Sequence, residues 1–499
     1  MSSVLRAVTL AEWRRWRRSW LRIAVLVLYI GAGAYAIHAG HRDVRRWEAA
    51  IANGTQREVR MQDEVRAFYA AAKKGPADRP WVDLSVGLWA EWYTGTYMGM
   101  RAQPLALVAR GVSDVRGHVV RVNRFTSAFE VGEQVDLGNP EQQVIGALDL
   151  VFVLTMLMPL VALTFGFDIL SYEREQGIAT LVHVQSASLT GWFLARLFVV
   201  AVTILLPTLG LWLVGAGVGD AFAQQASAVW QGAGFLTLLV LVWVSLIGMV
   251  GAWVRTSATS ALTLASLWVA VTLVAPALTN QIVNTRVPVG YASEITNAVQ
   301  TGQTALFKRT TRELLPAVYE AFPQLRSAPY ARFDDAPDSL RKADKDFFPR
   351  EFAEHMLSRR AMEGVWSREF ARERIAEFAQ WTSPTMSAHL ALTRLAGVDA
   401  QSHRAFEQAV VPVVRQKLAS LLDGEWNNRK YDLAAYEALA AMVPADARYG
   451  GDMATTCWFV LLLWLSTSFV MIIVGLRHSP DTFVRTLRSA LNPRTTKVA

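Results

Sequence analysis

Cysteine is almost missing from this chain of 499 residues. The single one, Cys457, falls inside an apolar run, so no intrachain disulfide framework or cysteine-based zinc site is available. Lysine is nearly as scarce, and none of the eight lysines is followed by Ser or Thr. A Gly-rich loop ending in Lys and Ser/Thr is what cradles nucleotide phosphates, so the chain does not supply its own Walker A loop. Internal repeats and low-complexity tracts are absent as well. Charged residues are only 18% of the chain against 52% hydrophobic ones, and mean hydropathy is +0.23, which excludes disorder, collagen and an ordinary soluble enzyme. Even so, 50 Lys plus Arg and 42 Asp plus Glu are too many charges for a protein made only of spans, so sizeable watery segments must separate the apolar ones. The formal charge of +8 sits beside the hydrophobic runs, where it reads as topology rather than as a nucleic-acid footprint.

Six apolar runs are long enough to cross a hydrocarbon core: Trp20 to Ala39, Val144 to Phe167, Trp192 to Gly217, Gly232 to Val254, Thr259 to Thr279 and Met453 to Leu476. Arginines crowd the start (Arg6, Arg14, Arg15, Arg17, Arg18, Arg22) and the end (Arg477, Arg485, Arg488, Arg494), which predicts both termini on the cytoplasmic side. The expected architecture is an all-α membrane protein with six transmembrane helices. Its parts are an interfacial N-terminal helix and first span (1–39), a first outer segment (40–143), spans two to five (144–279) with an inner loop (168–191), a mostly helical outer domain (280–452), and a last span with a basic tail (453–499). Trp13, Trp16 and Trp20 share one face of the opening helix with arginines on the other, the pattern of a helix lying in a membrane interface. A cleaved export signal ending near Ala34-Tyr35-Ala36 is the lesser reading, since the basic lead is too long for one.

The first outer segment joins charged helical sequence, Arg45 to Ala72, to a Trp-rich patch and a Gly/Val stretch, and its fold, mixed or not, is not legible. The second is plainer. Met362, Val365, Trp366 and Phe370 recur at helical spacing, and Phe406, Val410, Val414, Leu418 and Leu421 mark another helix, bent at Pro412 and ended by Asp423-Gly424. Most of Phe352, Trp366, Phe370, Phe378 and Trp381 are expected to lie in a core. Ser and His are scattered there without a nucleophile-elbow pattern.

Few residues carry chemistry. His38 and His41, with two residues between them, stand at the predicted outer membrane face, but two isolated histidines are more often solvated than metal-bound, and no metal site is expected. Asp149 lies in the outer turns of the second span, where an ionised carboxylate faces a cavity, a partner or water; the favoured reading is an interfacial carboxylate that reaches water. Pro159, Pro207 and Pro276 imply kinks or gaps in backbone pairing inside spans.

The inner loop is the strongest signal. It runs Asp168-Ile-Leu-Ser171-Tyr-Glu173-Arg174-Glu175-Gln-Gly177-Ile-Ala-Thr-Leu181, a charged helix end broken by a glycine and followed by a short polar stretch. Read from its residues alone it is a polar hairpin or a compact knob. The loop closely resembles the Glu-Arg-Glu-x-Gly-Thr-Leu signature of ABC-2 type transporter permeases, with Ile178 in place of the usual Thr. Asn139-Pro140, Gly146, Asp149-Leu150 and Pro159-Leu160 are similar to the second span of one ABC-2 subgroup with a large extracytoplasmic domain of unknown function. So are Ser383-Pro384, Leu395-Ala396-Gly397, Asp399 and Tyr431-Asp432 in the outer domain. The resemblance implies a permease in a bacterial inner membrane, paired with a second permease subunit as a homo- or heterodimer and with cytosolic ABC ATPase subunits. Glu173, Arg174, Glu175, Gly177 and Leu181 would form the ATPase-coupling loop. No cofactor is implied on this chain; ATP and Mg belong to the partner ATPase. Export, mechanical action on a periplasmic partner without transport, and a membrane-anchored periplasmic enzyme are the three functional classes, the last disfavoured by the missing catalytic constellation.

Overall fold

The computed structural model describes residues 2–86, 95–113, 117–123, 148–176, 189–288, 308–323, 342–426, 430–442 and 455–491, with a few isolated positions between them. The chain is an all-α membrane protein. Among the described residues, six helices are long and apolar enough to cross a membrane: Trp20–Ala70, Leu150–Glu175, Gly191–Val218, Ala226–Trp253, Ser257–Arg286 and Thr455–Leu476. The fourth is the hub, packing against the third and the sixth and burying Trp243, Val240, Leu239 and Ile247 completely.

The first of these helices differs most from the sequence reading. It has 51 residues and does not stop at Ala39. At 1.5 Å per residue it is about 77 Å long, of which a hydrocarbon core takes about 30 Å, so its second half, charged on its outer face, stands clear of the membrane. Gly40 lets it pass tightly against the segment between the first two spans: a Cβ there would lie 1.9 Å from the Leu107 carbonyl oxygen. That segment also contains two short antiparallel strands, Thr96–Gly99 and Val119–Val122, with Thr96 opposite Val122 and Gly99 opposite Val119. The sheet lies against the long helix, where the Trp47 indole donates to the Met100 carbonyl at 2.6 Å and the Tyr97 amide donates to Glu58 at 2.9 Å.

The second and fifth spans each contain one π-helical turn, Val153–Leu157 and Ala270–Val274. In each, a proline follows two residues later, Pro159 and Pro276. A proline ring clashes with the carbonyl four residues back and has no amide hydrogen to give it, so widening the preceding turn relieves the clash without breaking the helix. Pro207 instead sits inside an unbroken helix.

The domain between the fifth and sixth spans is helical throughout its described residues: Thr311–Ala321, Lys342–Ala379, Pro384–Leu395, Ala400–Trp426 and Leu433–Ala440. Phe406, Val410, Val414, Leu418 and Leu421 are buried as their spacing predicts, although the helix continues through Pro412 and past Asp423-Gly424 to Trp426. The expectation for the aromatics is corrected. Phe370, Phe378 and Trp381 are exposed, Trp366 is half-buried, and the side chain of Phe352 lies outside the described residues. Trp381 stands beside the sixth span, accepting at its carbonyl from the Trp464 indole at 3.1 Å, with its ring exposed rather than in the core. Helix Pro384–Leu395 buries Ala388, Ala391 and Leu392 against the second, fourth, fifth and sixth spans, so one apolar core runs from the bundle into this domain.

Candidate functional site

The two ends of the bundle differ in chemistry, and the loop singled out in the sequence lies at the end that carries the N-terminal helix, Ser2–Arg17. After Gly166 the second span makes a tight turn, with the Ile169 amide donating to the Gly166 carbonyl at 3.1 Å, and resumes as a short helix, Ser171–Glu175. The turn and the short helix deliver four charged residues, Asp168, Glu173, Arg174 and Glu175, to the N-terminal helix and to the first, third, fourth and fifth spans.

Asp168 is buried and receives the Arg22 guanidinium at 2.8 and 3.0 Å and that of Arg15 at 2.5 Å. Arg22 also donates to the Thr164 carbonyl at 3.2 Å, which fixes the start of the first span against the end of the second. Glu173 accepts from Arg196 of the third span at 3.0 Å and lies 3.8 Å from Arg15. Arg196 is 2% exposed, pairs at 2.6 Å with Glu12 of the N-terminal helix, and stacks over the Trp192 ring at 4.8 Å. Three arginines thus face three carboxylates in a largely dehydrated setting. Buried charge is tolerated where it is matched and hydrogen-bonded, and removing one partner strands the other.

Arg174 and Glu175 serve the fourth and fifth spans. The Arg174 guanidinium donates to the carbonyls of Gly251, Ala252 and Val254 at 3.1, 3.2 and 3.0 Å, three of the groups that a helix leaves without partners at its C-terminus. Glu175 accepts from the Ser257 amide at 3.0 Å and the Ser257 hydroxyl at 2.7 Å, the complementary arrangement at a helix N-terminus. One five-residue helix therefore holds both ends of the tight connection between those spans. Among the residues assigned to the coupling loop by sequence, Glu173, Arg174 and Glu175 come together and are all engaged within the chain, while Gly177 and Leu181 lie outside the described residues.

At the far end, Asp149 occupies a different role from the water-reaching carboxylate the sequence favoured. It is 9% exposed and is the N-cap of the second span, accepting from the Phe152 amide at 2.6 Å and from the Arg110 amide at 3.0 Å. A few residues on, Thr155 in the π turn lies 3.3 Å from His389 Nδ1 on helix Pro384–Leu395. Burial lowers the pKa of His389, and the Asp149 charge opposes that effect. The fifth span ends in the same fashion as it begins: Arg372 donates to the Val287 carbonyl and to the Asn284 side chain, both at 2.8 Å. His118, between the strands, stacks on Trp47 with ring centroids 3.8 Å apart, and burial pushes its pKa down to about 4. Among the described residues no group of three or more His, Cys, Asp or Glu side chains is placed to hold a metal.

Sequence reasoning passed over Glu12, Arg15, Arg22, Arg196, Ser257 and Arg372. For two of them the signal was present, since Arg22 and Arg196 fall inside apolar runs, where an arginine needs a carboxylate nearby. Arg372 has no such mark; it is one of several arginines on a solvated helix.

Neither the curated proteins nor the solved structures contain a match to this chain. The family model for "ABC-2 family transporter protein" matches residues 6–478, nearly its whole length, and includes the charged joint and both outer segments. The chain belongs to the ABC-2 transporter family and is a multi-pass transmembrane subunit of an ABC transporter.

Proposed function

We propose that this chain is the permease through which a separate cytosolic ABC ATPase drives export of a substrate across a bacterial inner membrane. The observation that carries this reading is the charged joint: Asp168, Glu173, Arg174 and Glu175 hold the ends of the first, third, fourth and fifth spans and the N-terminal helix, so a force on the following loop, 177–188, reaches nearly every span at once. The arginine bias supports a cytoplasmic position for this joint and both termini, on the side where the ATPase with its ATP and Mg would dock. Helix Pro384–Leu395 then lies over the periplasmic ends of four spans and against both π turns, which are the places where the second and fifth spans yield most easily.

The experiment has two arms. With Cys457 replaced, cysteines introduced at Gln185 and Arg360 are treated with a membrane-impermeant reagent in intact cells; labelling at 360 and protection at 185 are expected, and the reverse would invert the topology. The purified chain is expected to hydrolyse no ATP alone and to support hydrolysis with its ATPase, so robust turnover by the isolated chain contradicts the reading.

A second reading, mechanical action on a periplasmic partner without transport, is favoured by one observation. The fifth span is clamped at both ends, by Glu175 on Ser257 and by Arg372 on Val287, so it ties the coupling loop to the outer domain as a single strut. Spin labels on the outer domains of a reconstituted transporter distinguish the two. Distances that change with nucleotide in the wild type but not in Arg372→Gln, with transport absent in both, would favour the mechanical reading.

A further inference from the structure

The N-terminal helix has two faces, and the charged joint uses one. Val8, Glu12 and Trp16 are buried, with the Trp16 ring edge-on to Phe165 at 5.3 Å and Glu12 on Arg196, while Arg15 reaches Asp168. This corrects the sequence expectation that Trp13, Trp16 and Trp20 share a face: the helix breaks at Arg18-Ser19, and Trp16 turns inward with Glu12. The opposite face carries Leu10, Trp13, Arg14 and Arg17 and continues across the break through Arg18, Trp20 and Leu21, all exposed. Trp13 is 57% exposed and Trp20 77%.

We propose that this face binds the anionic headgroups of acidic phospholipids in the adjoining leaflet, and that lipid charge thereby sets the position of the joint. Three things on the molecule select that occupant. The face is cationic and contains no exposed acid from Thr9 to Leu21, since Glu12 points inward. It lies within two residues of a span, so headgroups are its immediate surroundings. Its indoles and leucines are the side chains that rest at the boundary between headgroup and hydrocarbon, with guanidinium groups reaching phosphate above them. The helix then works as a plate held from both sides, by lipid phosphate on one face and by Arg196, Asp168 and Glu173 on the other. The proposal concerns the helix and its leaflet and does not depend on what is transported or in which direction.

The test uses the full chain in nanodiscs made from equal parts phosphatidylcholine and phosphatidylglycerol, with lipid retained after detergent release counted by native mass spectrometry. Wild type is expected to retain phosphatidylglycerol preferentially, with each arginine contributing about fivefold. The triple variant Arg14→Gln, Arg17→Gln, Arg18→Gln should lose that preference, and the triple Lys variant should keep most of it. Because these arginines also direct insertion, the single variants Arg14→Gln and Arg17→Gln are measured alongside, each expected to lose about fivefold. Equal phosphatidylglycerol retention by wild type and the Gln variants would overturn the proposal. So would loss of ATPase association by the Gln variants in the mixed discs with phosphatidylglycerol retention unchanged, which would assign the face to the ATPase.

Discussion

Replacing Arg174 with methionine keeps the length and apolar stem of the side chain and removes the guanidinium that binds Gly251, Ala252 and Val254. Hydrogen bonds to a charged group contribute about 1.5–3 kcal/mol each, and a cation at a helix C-terminus adds roughly 0.3–1 kcal/mol. Three such bonds would sum to about 5–9 kcal/mol if the carbonyls were left dry. They are not, because the fourth span ends at Trp253, two residues from exposed Arg255, and water can reach the freed oxygens. The expected loss is therefore about 2–4 kcal/mol. The assay is unfolding of the purified chain in mixed dodecylmaltoside–SDS micelles followed by tryptophan fluorescence, with association to the ATPase measured on the same preparations. Arg174→Lys should recover less than half of the loss, since one ammonium cannot span three carbonyls as a planar fork does. Methionine at 174 with stability within about 0.5 kcal/mol of wild type would refute the view that this arginine clamps the end of the fourth span.

Two further outcomes are expected. The unfolded chain protonates His118 near its ordinary value of 6.5 and the folded chain only near 4, so the neutral ring is the form the fold favours: its contribution is complete above about pH 6.5 and falls as pH drops toward 4, by up to ~3 kcal/mol. Thermal unfolding of the outer segments as a function of pH should show that decline, and His118→Phe, which keeps a ring beside Trp47, should flatten it; an unchanged profile in the variant would remove His118 as the cause. Gly111 has φ of +52° and stands where a Cβ would lie 2.1 Å from the Val398 carbonyl oxygen, which also accepts from the Val112 amide at 3.0 Å. Gly111→Ala should therefore cost about 2–3 kcal/mol by loosening the contact between the two outer segments, and a change below 0.5 kcal/mol in chemical denaturation would show that the contact yields freely.

The spans were legible because a hydrocarbon core demands about 20 apolar residues and nothing else in the chain is so long and so uniform. Their ends were less so. Ala39 reads as a boundary because hydropathy falls there, yet backbone hydrogen bonding carries the helix on to Ala70, for helix and membrane end for different reasons. The aromatics Phe370, Phe378 and Trp381 misled for a related cause: amphipathic spacing says which face is apolar but not whether protein or lipid covers it. The Glu173-Arg174-Glu175 signature was visible by resemblance, but its hydrogen-bond partners lie up to 82 residues away in sequence, as Ser257 does from Glu175, and only the packed bundle brings them within reach. Asp149 was visible as an oddity. Its role as a cap that also holds Arg110 depends on a loop whose course spacing does not encode.

The 51-residue first helix makes the molecule a lever as well as a bundle. About 30 of its residues, roughly 45 Å, extend beyond the hydrocarbon core, and the base of the same helix is gripped at Arg22 by Asp168. A tilt of only about 5° at the membrane would carry the far tip through about 4 Å, a displacement comparable to one helical turn. The tip is fastened to the outer domain there, by Arg66 on Glu437 at 3.0 Å and by Tyr69 beside Tyr436. With the helix pivoting at the outer edge of the hydrocarbon core, a shift of about 2.6 Å at the Arg22–Asp168 pair on one side of the membrane is matched, by leverage alone, by about 4 Å at the tip on the other.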